Sequence, residues 1–165
     1  MTRRNRKAKG NTSSRLDVLE QQAEQARAAR IEAQERQQEA AVNMLGRDDR
    51  DFILDFMRRC EVDPALWPRV CEACAAVARP MEEHVPHITD WLDALEKVEE
   101  GGVYPLPPVD AAVWMRDAAD RWHEGLEREE WESADLQDGA KWHRGYFRLS
   151  ANLADVLTRE ARVRA

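Results

Sequence analysis

From Arg15 to Leu45 the chain runs 31 residues without a glycine or a proline, and it is built mostly of alanine, glutamate, glutamine and arginine. These side chains lose little freedom on entering a helix. The run therefore predicts one helix about 45 Å long at ~1.5 Å per residue. Ser14, followed three residues later by Asp17, has the spacing of a capping box and predicts the helix start. Residues 1–14 have no apolar periodicity and are expected to form a disordered basic arm. Read in heptads, the helix has one seam of Leu16, Ala23, Arg30, Gln37 and Met44 and another of Leu19, Ala26, Ala33 and Ala40. Alanine lets helices approach closely but buries little area, so a lone pair of such helices is weak. Residues 15–45 are expected to be either a stalk stabilised by self-association, the favoured reading, or a partly frayed helix.

Beyond Gly46 the character changes, and all six tryptophans fall between Trp67 and Trp142. Phe52, Ile53, Phe56, Met57 and Cys60 form one face of a helix that Asp48 or Asp49 is placed to cap. Asp63-Pro64 reads as a cap and first helical residue for a helix carrying Trp67, Val70, Cys71, Cys74 and Ala78 and ending at Pro80. Thr89 is expected to cap a helix with Trp91, Leu92 and Leu95, closed by Gly101-Gly102. Residues 103–109 read as an extended proline-rich connector. Asp110 then caps a helix to about Ser133 with Trp114, Ala118, Trp122 and Leu126 on one face. A last helix from about Gly139 to Val163 carries Trp142, Tyr146, Leu149, Leu153 and Val156 at alternating spacings of four and three. No segment alternates apolar and polar residues. The expected fold is all-α, with a bundle of about five helices over 46–165 preceded by the long helix and the arm.

Charge divides along the same lines. Residues 1–15 carry +6 with no acid, residues 16–45 carry −3 and the rest −10, which together make the net −7. A basic arm on an acidic body is the pattern of an interaction tail, not of a broad nucleic-acid-binding body. Arg3, Arg4, Arg6, Lys7, Lys9 and Arg15 are the candidate phosphate contacts. The opening residues lack the apolar run of a secretory signal, and no stretch reaches the roughly 18 apolar residues of a membrane span. The chain reads as intracellular, cytoplasmic or, in a eukaryotic host, nuclear.

Three cysteines, an odd number, argue against a disulfide scaffold. Cys71, Cys74, His84 and His87 are the right ligand types for tetrahedral zinc, but their spacings are shorter than those of a zinc finger. Cys71 and Cys74 also share a face with Trp67 and Val70, so packed cysteines are favoured over zinc and no cofactor is expected. A short echo, Arg121 to Arg128 and Lys141 to Arg148, repeats basic-Trp-His-x-Gly-apolar-x-Arg. It offers His123 and His143 as an acid/base pair, against a reading in which Gly125 and Gly145 allow close packing beside Trp122 and Trp142. Pro105-x-x-Pro108 reads as a rigid connector, and Glu127, Glu129, Glu130 and Glu132 as a solvated face.

No phosphate-cradling loop, nucleophile elbow or paired carboxylates in an apolar pocket occur, so no enzyme activity is expected. The layout predicts a non-enzymatic, self-associating protein that contacts nucleic acid through its arm, as small viral or phage packaging and coat proteins do. The alternatives are a protein–protein adaptor or regulator that uses the long helix, and, less favoured, a small zinc module.

Overall fold

The computed structural model describes the backbone from Arg4 and side chains from Thr12 to Ala165. Six helices and no strand occur among the described residues: α1 (Arg4–Asn43), α2 (Arg47–Val62), α3 (Leu66–Glu82), α4 (Pro86–Glu96), α5 (Ala111–Glu127) and α6 (Ala134–Arg164). Helices α2–α6 form the expected bundle. Of the expected disordered arm, residues 1–3 and the side chains of residues 4–11 lie outside the described residues, and the backbone from Arg4 to Ser14 is helical. Ser14 is therefore an interior residue of α1 and not its cap.

Helix α6 is the spine, in contact with α1, α2, α3 and α5. Its small residues Ala140, Gly145, Ala151 and Ala154 are buried and let neighbours come close, while Phe147 and Leu157 fill the space between them. The antiparallel α5 lies along it, with Trp114 edge-on to Phe147 at 5.6 Å and Trp122 stacked on His143 at 4.7 Å. Phe56, Val70, Cys74, Ile88, Met115 and Trp122 are fully buried. Side chains of this size stabilise the fold by about 1.5–3 kcal/mol each on leaving water.

Helix α1 has two different halves. Residues 12–30 are exposed throughout, including Leu16 at 56% and Leu19 at 61%. From Ile31 onward the helix lies on the body and buries Gln34 and Ala41, with Leu45 buried just past its end. Polar contacts fix this half. Gln34 Nε2 donates to Glu99 O at 3.2 Å while its Oε1 accepts from Gly101 N at 3.1 Å. Arg30 Nε donates to Gly101 O at 3.0 Å, and Asn152 Nδ2 on α6 donates to Ala41 O at 3.1 Å. Gly101 makes the turn possible, since its φ of +78° lies in the left-handed region. Arg30 and Gln37, assigned by the heptad reading to an intermolecular seam, bond instead to Gly101 and to Glu160 of the same chain.

Several helix ends differ from expectation. Asp49 does not cap α2; the cap residue is Gly46, and the Asp49 carboxylate is buried in an ion pair. Helix α3 starts at Leu66, with Asp63 accepting from Ala65 N, and it continues through Pro80 to Glu82. So near its end a proline forgoes only one bond. Pro86 opens α4, placing Thr89 inside, where its hydroxyl donates to Pro86 O at 3.0 Å. Asp110 flanks α5 but makes no side-chain capping bond. Helix α5 stops at Glu127, not near Ser133, in a Schellman-type turn: Glu130 N donates to Gly125 O, Glu129 N donates to Leu126 O, and Glu129 takes φ +55°. That turn lays Trp131 over Gly125 and donates its Nε1 to Trp122 O at 3.1 Å. Ser133 then caps α6 by accepting from Leu136 N, five residues before the expected start.

Gly139 shows how tightly α6 meets α3. A Cβ there would lie 2.0 Å from Cys74 Sγ. Gly139→Ala is expected to destabilise by about 1–3 kcal/mol despite alanine's better helix propensity, because the crowding outweighs it. In a denaturant-unfolding double-mutant cycle, Gly139→Ala with Cys74→Ala should be less destabilised than the sum of the singles by at least ~0.5 kcal/mol. Strict additivity would rule out the contact as the cause.

Candidate functional site

The arm was the leading candidate from sequence. Arg3 lies outside the described residues, as do the side chains of Arg4, Arg6, Lys7 and Lys9. Arg15 is on the exposed half of α1, which also carries Leu16, Leu19, Ala23 and Ala26 toward solvent. The acidic body begins only where α1 docks.

The four Cys/His candidates are not gathered, and among the described residues no three metal-ligating groups come close enough to hold one ion. Cys74 is buried against Gly139, Cys71 is exposed, and His87 bonds through Nε2 to the Asp110 carboxylate at 2.9 Å. That bond holds the Asp110 carboxyl below its ordinary range. Burial pushes the Cys74 thiol up to about 11, so it sits as a protonated core side chain. His84 is exposed.

Nor do His123 and His143 meet. His123 Nε2 faces Glu127 Oε1 at 3.0 Å, and Arg144 Nη1 donates to its Nδ1 at 3.0 Å. Both ring nitrogens therefore have partners within the chain. Arg144 continues to Asp49 Oδ1 at 2.9 Å, and Arg148 reaches Asp49 Oδ2 at 2.8 Å. This network joins α2, α5 and α6, and Asp49 is only 3% exposed. His143 stacks on Trp122 and bonds through Nδ1 to Gly139 O at 2.7 Å. Burial holds its pKa below the ordinary value and keeps the ring neutral. Gly145 packs against Ile53 and Gly125 against Trp131, so the echo's glycines serve two different contacts. The proline connector has no regular secondary structure over 102–108 and is half-buried at Pro105 and Pro108, with Pro105 O accepting from Trp91 Nε1 at 3.0 Å.

The bundle also forms a feature the sequence reading did not contain. A cleft of about 330 Å³ opens between α3, α4 and α6. Glu82, Asp93 and Glu96 supply its carboxylates, and Trp67, Trp142 and Tyr146 its main aromatic walls. Tyr146 Oη donates to Glu96 Oε1 at 3.3 Å, and Trp67 meets Trp142 edge-on at 5.3 Å. Burial and then the charge of Asp93 raise the pKa of Glu82; burial and Glu96 raise that of Tyr146. These residues come from three helices separated widely in sequence, and no spacing motif could have joined them.

Two outcomes test this account of the polar interior. Asp49→Ala strands Arg144, whose side chain is 12% exposed, and is expected to cost about 3–5 kcal/mol in urea unfolding. Breaking the surface pair Arg59–Asp138 by Asp138→Ala should cost less than about 1 kcal/mol. For His143, the unfolded ring takes a proton near about 6.5 while the folded ring resists it, so acidification favours the unfolded chain. Stability should therefore fall as pH drops below about 6.5 toward the lowered folded value. His143→Gln should lose less stability than the parent between about pH 7 and about pH 5.5, and equal losses would contradict the assignment.

No family model matches the chain, and comparison with curated proteins and with solved structures likewise finds no match.

Proposed function

We propose that this chain is a non-enzymatic, self-associating helical protein that contacts nucleic acid through the basic N-terminal part of α1, in the manner of a packaging, coat or assembly protein. The observation that carries the reading is the separation of charge and structure along α1. The docked half from Ile31 onward is fixed to an acidic body, and the half from Thr12 to Arg30 is exposed and continues into residues that are basic and free of acid. Lysine and arginine on such an extension reach phosphates without bringing the body's carboxylates against them. The electrostatic gain comes from releasing counterions and needs no base-specific contact.

The second element is the part of the heptad seam that the body leaves uncovered. Leu16, Leu19, Ala23 and Ala26 share one exposed face, which supports pairing with the same face of a second copy. The same face favours a second reading, an adaptor that pairs α1 with a partner's helix. No helix among the described residues is long and apolar enough to cross a membrane.

Titrating nucleic-acid binding of the full chain against salt tests the first reading. If all six basic residues neutralise phosphates at ~0.9 each, log K should fall with log salt at a slope of about −5. Replacing Arg3, Arg4, Arg6, Lys7 and Lys9 by glutamine should reduce the slope to near −1 and leave the fold intact, as read by circular dichroism. Binding that is insensitive to salt, or unchanged in the variant, would overturn it. Light scattering on Leu16→Glu/Leu19→Glu reports the association separately. A parent that is monomeric at all concentrations removes the self-association and favours the adaptor.

A further inference from the structure

We infer that the cleft between α3, α4 and α6 is a binding site for an organic cation, a guanidinium or alkylammonium group seated on aromatic faces between carboxylates. This goes beyond the contact with nucleic acid, which uses α1 and the opposite sign of charge.

The first observation is unneutralised charge. Glu82, Asp93 and Glu96 converge on one concavity, and among the described residues none of the three forms an ion pair. No lysine or arginine lines the cleft; Arg79 lines the adjoining depression over Ala75 and Pro86. Its one histidine, His143, is held neutral with its Nδ1 committed to Gly139 O. Asp49, the buried carboxylate of the bundle, has two arginines, whereas Glu82 is half-buried and Asp93 and Glu96 are exposed at the cleft's rim, all without a cationic partner. The cleft lacks such partners and is open to take one from outside.

The second observation is the wall chemistry. Trp67, Trp142 and Tyr146 line the same cavity, with Trp142 and Tyr146 near parallel at 6.5 Å. Aromatic faces carry negative quadrupole charge and attract cations whose charge is spread over carbon-bearing groups. A fully hydrated metal ion gains little from them.

The third observation distinguishes these two classes of cation. A metal ion needs oxygens gathered within roughly 2.0–2.6 Å of one point. Here no three ligating groups, these carboxylates included, are close enough for that. Carboxylates spaced around a 330 Å³ volume suit a cation several atoms across. Tyr146 Oη, donating to Glu96, orients that carboxylate at the rim.

Two sources supply such a group: a free amine such as choline or a polyamine, and the arginine-rich N-terminus of the same or a second chain. The test uses the full chain and follows the fluorescence of its tryptophans while choline, spermidine or N-acetyl-arginine amide is added at constant ionic strength. Saturable changes are expected. Choline should bind, and its neutral isostere 3,3-dimethylbutan-1-ol should bind at least about tenfold more weakly. Asp93→Asn/Glu96→Gln should weaken choline by at least about tenfold, with the thermal unfolding midpoint retained and the salt slope of nucleic-acid binding unchanged. A non-saturating response, an equal response to the neutral isostere, or full affinity in the double variant overturns the site. Should the double variant unfold, Tyr146→Phe serves instead, and unaltered choline affinity together with an equal response to the neutral isostere overturns it. The glutamine variant of Arg3, Arg4, Arg6, Lys7 and Lys9 separates the sources. Tighter choline binding in that variant identifies the N-terminus as the competing occupant, and unchanged binding identifies a free cation. A change in the salt slope alone bears on the nucleic-acid reading and not on the cleft.

Discussion

The docking of one half of a single helix decides how this molecule presents itself. Gln34 grips the turn at Glu99 and Gly101 with both ends of its amide, and Asn152 reaches from α6 to the carbonyl of Ala41. These are neutral hydrogen bonds in partly or fully buried positions, modest in net worth at about 0.5–1.5 kcal/mol each. Leaving their partners unsatisfied would cost more, and that asymmetry gives them their directing power. They fix the register of α1 on α6, and so fix where the helix leaves the body. Without them the alanine-rich surface of α1, with little area to bury, would have small reason to prefer one placement.

Exposure and contact are divided across that boundary. The docked half belongs to a globule whose polar interior is mostly paired: Asp49 has its arginines, His123 has both nitrogens bonded, and Trp131 donates to Trp122 O, while the buried Trp122 Nε1 has no partner. A hydrogen-bonded network of this kind confers rigidity. The exposed half carries charge and a thin apolar face outward. The cleft over α6 brings unneutralised carboxylates and aromatic surface together, and it has the sign opposite to that of the N-terminal residues.

The long helix and the five that follow were legible because apolar residues at spacings of three and four leave few alternatives, as at Trp142, Tyr146, Leu149 and Leu153. Helix ends were less legible. Asp49, Asp63 and Asp110 each precede or open a helix, but a carboxylate there has two possible uses, a cap or an ion pair. Arg144, which claims Asp49, lies 95 residues away, beyond the reach of any local rule. Helix α5 ends on Glu129 in a conformation that usually calls for glycine, so the stop signal is absent from the sequence. The docking of the second half of α1 was hidden for a similar reason: Gln34 falls outside both heptad seams and Gln37 falls within one, and their partners sit far along the chain at Gly101 and Glu160. The cleft was invisible because three helices contribute to it.

Amide hydrogen exchange on the intact, dilute protein tests the two-part helix most directly. Residues from about Ala33 to Ala41 should be protected to the same order as the core of α6, while those from about Arg15 to Ala26 should exchange orders of magnitude faster, since their side chains are exposed and lie short of the docked segment. Protection continuous from Arg15 to Ala41 at dilutions where the chain is monomeric, or none in the docked half, would contradict the account.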